Sequence, residues 1–182
     1  MIKPWMLGCV AALALGACGN QGELAATSEP AAEKAGDQTL ATGLASNARL
    51  AGAIKAAGLE ATLAGPGPYT LIAPSDAAFE KLPAGALDTL MKPEARAELT
   101  AILTHHILPG TILATDIGKA IDAGKGKALI ATIGGGTLTA TRDGDRIALA
   151  DGAGTRALVG AADQKRSNGI IHQVDSVLMP TQ

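Results

Sequence analysis

Residues 69–79 read Tyr-Thr-Leu-Ile-Ala-Pro-Ser-Asp-Ala-Ala-Phe (YTLIAPSDAAF), and they contain a change of conformation. Tyr69 to Ala73 is an apolar run of strand length. Pro74 has no N–H to give to a ladder and ends the strand. Ser75 or Asp76 then offers a side-chain oxygen to cap a helix running through Lys81, and Phe79 plugs the core from that helix.

Working outward, residues 47–57 (NARLAGAIKAA) set Leu50, Ile54 and Ala57 at helical spacing. Asn47 suits the N-cap of that helix and Gly58 its C-terminal cap. Gly65-Pro66-Gly67-Pro68 is a turn. Pro83 and Gly85 punctuate, and residues 87–91 make another short helical turn. Pro93 suits the first position of the next helix, with Glu94 near the positive end of its dipole. Leu99, Ile102, Leu103, His106 and Ile107 form that helix's apolar face, and Pro109-Gly110 stops it. Beyond this point the period moves toward two. Strands are expected at 129–133, 137–141, 147–150, 158–161 and 170–178. Residues 141–146 are the turn of a hairpin, with Gly144 supplying the positive φ. Gly134-Gly135-Gly136 lies between strands and not before a helix, so it reads as a hairpin loop and not as a phosphate cradle. Helices come mostly first and strands mostly last. That order indicates an α+β fold, not a doubly wound parallel sheet.

Two further segments stand beside the first. Residues 103–110 are LTHHILPG and residues 168–180 are NGIIHQVDSVLMP. In the latter, Asn168-Gly169 makes the turn into a strand that sets Ile171, Gln173 and Asp175 on one face and Ile170, His172, Val174 and Ser176 on the other. The three segments, in this order and at this spacing, resemble the signatures of the fasciclin domain. The resemblance implies a wedge of β-sheets with a cluster of short N-terminal helices. It also marks Pro74, Ser75, Asp76, Phe79, His106, Pro109, Gly110, Asn168, Gly169, His172 and Asp175 as the structural signature. His105 stands where the family usually carries Tyr. In animal relatives that Tyr-His pair is linked to adhesion, so this departure weakens the transfer of that role. Thr115, Asp116 and Ile117 lie where relatives carry an Asp-Ile adhesion motif. The binding residues implied by the resemblance are therefore His105, His106, Thr115, Asp116 and Ile117.

The front of the chain reads as a targeting segment. Lys3 precedes an apolar run over residues 6–15, about ten residues, which is too short to span a bilayer. Leu15-Gly16-Ala17-Cys18 resembles the lipobox of bacterial lipoproteins, which implies cleavage after Ala17 and acylation of Cys18. Residues 1–17 are then a signal peptide, residues 18–38 the lipidated cysteine and a flexible tether, and residues 39–182 one domain. The tether is rich in Ala, Gly, Glu, Ser and Gln and buries too little to offset its ordering. It has a root-mean-square reach of about 25 Å. Several acyl chains hold such a protein on a membrane. Gly19 in place of Asp leans toward the outer membrane in a Gram-negative cell. With Cys9 in the leader and Cys18 lipidated, the domain has no disulfide and no thiol nucleophile.

Charge and composition exclude several classes. The formal net charge is −2, and loss of Lys3 with the leader takes it to −3. A mildly acidic chain argues against nucleic acid as a partner. Trp5 leaves with the leader, so Tyr69 and Phe79 are the remaining aromatics, too few for a stacking platform. His105 and His106 are adjacent on a helix, point about 100° apart and cannot easily share one ion. No His-Glu-x-x-His spacing or Gly-x-Ser-x-Gly elbow occurs. His106 and His172 read as hydrogen-bonded structural residues. No metal, cofactor or enzymatic activity is expected. The resemblance implies a cell-envelope interaction module: adhesion, biofilm or matrix contact, with a protein or surface-polymer partner. A carrier for a small apolar ligand, such as a carotenoid or lipid, is the alternative.

Overall fold

The computed structural model describes residues 37–44 and 47–180. The expected leader, Cys18 and almost all of the expected tether lie outside the described residues.

Four short helices come first around one strand. Helix α1 (Ala48–Ala57) ends on Gly58 at φ +76°, the left-handed cap its sequence calls for. Asn47 stands at the N-cap position but makes no capping bond. Its carboxamide turns inward and accepts from Gln173 Nε2 at 3.3 Å, and the cap is supplied instead by Asp76 Oδ1, which accepts from Arg49 N–H at 3.1 Å. After α2 (Glu60–Ala64) comes β1 (Tyr69–Pro74), followed by α3 (Asp76–Glu80). Ser75 Oγ accepts from Ala78 N–H at 3.2 Å. The two capping residues thus serve two different helices. α4 (Ala86–Leu90) follows.

The next helix differs from expectation at both ends. Pro93 opens a single 3₁₀ turn, and α5 runs only from Arg96 to His105. Ile107 is not on its apolar face; it begins β2 (Ile107–Pro109), paired with Leu71 of β1. A partner strand satisfies these backbone groups better than one more helical turn running into Pro109. α6 (Ala114–Ala123) was not anticipated, although Ile117 and Ile121 stand one turn apart on its buried face.

The strands form two four-stranded sheets. Sheet B is an antiparallel meander of β3 (Lys127–Ala131), β4 (Thr137–Asp143), β5 (Arg146–Ala150) and β6 (Arg156–Leu158). Gly144 opens its two-residue hairpin at φ +60°. β3 lies two residues earlier than expected at both ends, and it stops at Ala131 because Thr132 closes the following loop, donating its N–H to Gly136 O at 2.9 Å. Sheet A has the order β2-β1-β8-β7, with β7 (Gln164–Arg166) and β8 (Gly169–Val174). β8 ends at Val174, four residues short of expectation, because Asp175 turns away to hold β6. β1 and β8 pair in parallel, Leu71 opposite Ile171 and Ile72 opposite His172. Two central strands buried on both faces serve two cores. Leu71 and Ile171 join Leu50, Ile54 and Leu103 under the helices. Ile72 and Val174 join Leu138, Leu149 and Ile117 beneath sheet B.

Candidate functional site

The two signature histidines are internal struts. His106 follows the last residue of α5 and is fully buried. Its Nδ1–H donates to Ile102 O at 2.8 Å, and its Nε2 accepts from Leu178 N–H at 3.0 Å. One neutral tautomer satisfies both bonds and ties the end of α5 to the chain's closing segment. Burial is the main cause that pushes its pKa down to about 4, opposed by the Ile102 carbonyl and Asp151 and aided by His105. His172, on β8, is 1% exposed. Its Nε2–H donates to Ile112 O at 2.7 Å and its Nδ1 accepts from Asp163 N–H at 3.2 Å.

His105 is buried too, but poorly served. Nδ1 lies 3.4 Å from Thr132 Oγ1, and Nε2 has no partner among the described residues. Burial lowers its pKa, with Asp151 opposing. The imidazole lies directly under the glycine loop, where a Cβ on Gly136 would stand 2.6 Å from the ring. The loop is fastened down by Ile133 N–H to Ile107 O and Gly134 N–H to Thr104 O, at 2.8 and 3.1 Å.

The remaining signature residues clamp distant segments together. Asn168 Nδ2 donates to Leu63 O and Gly65 O, both at 2.8 Å, and Oδ1 accepts from Leu40 N–H at 2.8 Å. A Cβ on Gly169 would collide with the Tyr69 carbonyl, so only glycine allows this approach of β8 to β1. Gly110 sits at φ +86°, and its carbonyl accepts from Thr70 Oγ1 at 2.8 Å. Asp175 accepts from Leu158 N–H at 2.8 Å and pairs with Lys81 at 3.1 Å. Partial burial works against its ionisation, yet the Leu158 N–H, Lys81 and Ser176 keep the carboxyl below its ordinary value.

The residues named for binding therefore separate. His105, His106 and Ile117 are 3%, 0% and 2% exposed. In this packing a partner meets only Thr115 and Asp116, on the first turn of α6. Asp116 lies on the rim of a groove of about 300 Å³ between α6 and β3, walled by Pro109, Ile112, Ala120 and residues 128–131. A larger groove of about 590 Å³ runs between α1, α3 and α4, past Phe79, Met91 and the exposed Arg49–Glu80 ion pair. Sequence reading missed Leu129, which is 71% exposed beside the first groove. The available signal was the alternation in KALIA, which turns 127, 129 and 131 to one side of the strand. Among the described residues no three His, Cys, Asp or Glu side chains gather where they could hold a metal ion. No described helix is long and apolar enough to cross a membrane.

Comparison with known proteins places this arrangement. Residues 46–180 match the Fasciclin domain family. Protein sll1483 of a Synechocystis strain is 35% identical over 146 residues, covering 80% of this chain and 70% of that protein. The transforming growth factor-beta-induced protein ig-h3 of Sus scrofa is 36% identical over 132 residues, 72% of this chain but 17% of that much longer protein. A solved FAS1 domain pair from the insect cell adhesion molecule Fasciclin I aligns with TM-score 0.49 and 23% identity, over 61% of this chain and 36% of that one.

Proposed function

The chain belongs to the fasciclin-domain family, and on that premise we propose that it is a membrane-anchored, extracytoplasmic interaction module for adhesion, biofilm or matrix contact, without enzymatic activity. The observation that carries this reading is the family match over residues 46–180, because fasciclin domains are found in adhesion and extracellular-matrix proteins. The geometry is in keeping with it. Both signature histidines use both ring nitrogens inside the fold, so what the domain offers a partner is its surface. Residues 1–17 act as the leader and Cys18 carries the acyl chains that hold the protein on the cell envelope, at the outer membrane in a Gram-negative cell. The partner is a protein or surface polymer.

The test is protease accessibility of the domain on intact cells, with a periplasmic protein as integrity control, beside a deletion strain scored for surface attachment. Digestion with the control intact and reduced attachment are expected. Protection of the domain together with unchanged attachment overturns the reading. Palmitate labelling lost in Cys18→Ser checks the anchor. A second reading, carriage of a small apolar ligand, is favoured by the groove between α6 and β3. Its volume of about 300 Å³ stands at the small end of ligand sites. Coloured or lipid material that copurifies from the native host would promote it.

A further inference from the structure

Sheet B has one closed edge and one open edge. At β6, Leu158 N–H donates to Asp175 Oδ1, Asp175 N–H donates to Leu158 O, and Val159 bridges to Val174, so sheet A covers that side. At β3 the cover is partial: just past the strand, Ile133 N–H donates to Ile107 O of β2 at 2.8 Å and Gly134 N–H to Thr104 O at 3.1 Å, but β3 itself is left open. Thr132 N–H donates to Gly136 O, and Ala131 stands opposite Thr137. An antiparallel ladder alternates, so Ala128 and Ile130 direct their backbone groups to β4, while those of Lys127, Leu129 and Ala131 turn outward. Leu129 and Ala131 are exposed, and their outward backbone groups have no partner among the described residues.

The open edge forms one wall of the groove, and the other wall is Pro109, Ile112 and α6. A groove of about 300 Å³ has room for a few small side chains of an extended segment. Asp116 is the charged residue of the groove's lining, and two lysines stand beyond its other end. The chain turns tightly from α6 into β3 at residues 124–126, so helix and strand run antiparallel. Asp116 therefore lies toward the Ala131 end, in an exposed pair with Lys119 at 3.7 Å. Lys125 and Lys127 lie at the other end, exposed and without a carboxylate partner among the described residues.

We propose that the β3 edge is the docking site for an extended peptide of a partner protein. The peptide is apolar at alternate positions, basic toward its N-terminal side and acidic toward its C-terminal side, and adds to sheet B as an antiparallel strand. Backbone groups at Leu129 and Ala131 hold it, the apolar groove takes its alternate side chains, and Asp116 and Lys127 fix its direction. This rests on the interaction-module reading and names its partner class.

The experiment uses the ¹⁵N-labelled full chain and acetylated, amidated peptides Lys-Val-Thr-Val-Thr-Val-Glu and the charge-reversed Glu-Val-Thr-Val-Thr-Val-Lys. Two N-methylated forms of the first peptide block its odd or its even amides. The first peptide is expected to bind, with shifts centred on the Leu129 and Ala131 amides. Charge reversal weakens binding about tenfold. One N-methylated form loses binding and the other keeps it, because only one edge of the peptide meets β3. Leu129→Glu, at a solvent-facing position, keeps the fold and weakens binding by a similar factor. The proposal is overturned if the first peptide does not bind at about 1 mM, if the charge-reversed peptide binds as tightly, if both methylated forms behave alike, or if the shifts centre elsewhere. Peptides that fail while cells still attach through the protein remove this edge alone. Cells that attach equally without the protein remove the interaction module itself.

Discussion

Lowering the pH below 6.5 should weaken the domain through His106, starting above the range in which carboxylates ordinarily titrate. The unfolded imidazole takes a proton near 6.5, whereas the buried one resists until about 4. Between those values the unfolded state holds more protons, so stability falls as pH falls and the loss levels off below about 4. With those two values, linkage gives a loss of about 2 kcal/mol between pH 7.5 and 5 and about 3 kcal/mol by pH 4. Against a usual total of about 5–15 kcal/mol this is large. His106→Gln keeps a donor for Ile102 O and an acceptor for Leu178 N–H at every pH. It is expected to be less stable than wild type at pH 7.5, since its shape fits the site less well. Its stability should nonetheless fall by about 2 kcal/mol less between pH 7.5 and 5. Urea unfolding followed by far-ultraviolet circular dichroism measures both curves without relying on tryptophan fluorescence. His105 and the carboxylates titrate in both proteins and cancel in the difference. Parallel curves for the two proteins would refute the assignment of this pH dependence to His106.

Other substitutions probe the remaining contacts. Asn168→Ala removes three hydrogen bonds and strands the Leu40 N–H and the Gly65 carbonyl, while Leu63 O keeps a long bond from Ala41 N–H at 3.4 Å. The expected cost is about 2–4 kcal/mol, read as a lower urea midpoint with unchanged slope. Gly169→Ala drives a methyl into the Tyr69 carbonyl and should cost at least as much, with β1 and β8 losing amide-exchange protection first. His105→Phe deletes the unpartnered Nε2 and should leave the domain equally stable or about 1 kcal/mol more so, in contrast to His106→Phe, which should destabilise it by about 2–5 kcal/mol. Lys81→Ala should cost well under 1 kcal/mol, because the Lys81–Asp175 pair is half exposed.

Much of the fold was legible in the sequence where its causes are local. Ser75 reaches an N–H three residues on, Gly58 and Gly144 supply positive φ at their own positions, and the meander of sheet B follows from alternation and short loops. Each of these interactions closes within a few residues, so its partners can be read from one window of sequence. The order of helices before strands was likewise enough for the α+β class. What the tertiary structure alone decided depends on partners far along the chain. Asp76 caps α1, Ile107 leaves the helix for Leu71, and His106 finds Leu178. The parallel pairing of β1 with β8 joins segments a hundred residues apart. The candidate site belongs to this second group. Ile117 reads as part of an adhesion motif until α6 packs it beneath sheet B, and Leu129 reads only as the start of a strand until the packed sheet leaves it exposed. Residue type sets what a side chain can do. Burial and an unpaired backbone edge are properties of the packed chain, because they are decided by which distant segments arrive and which do not.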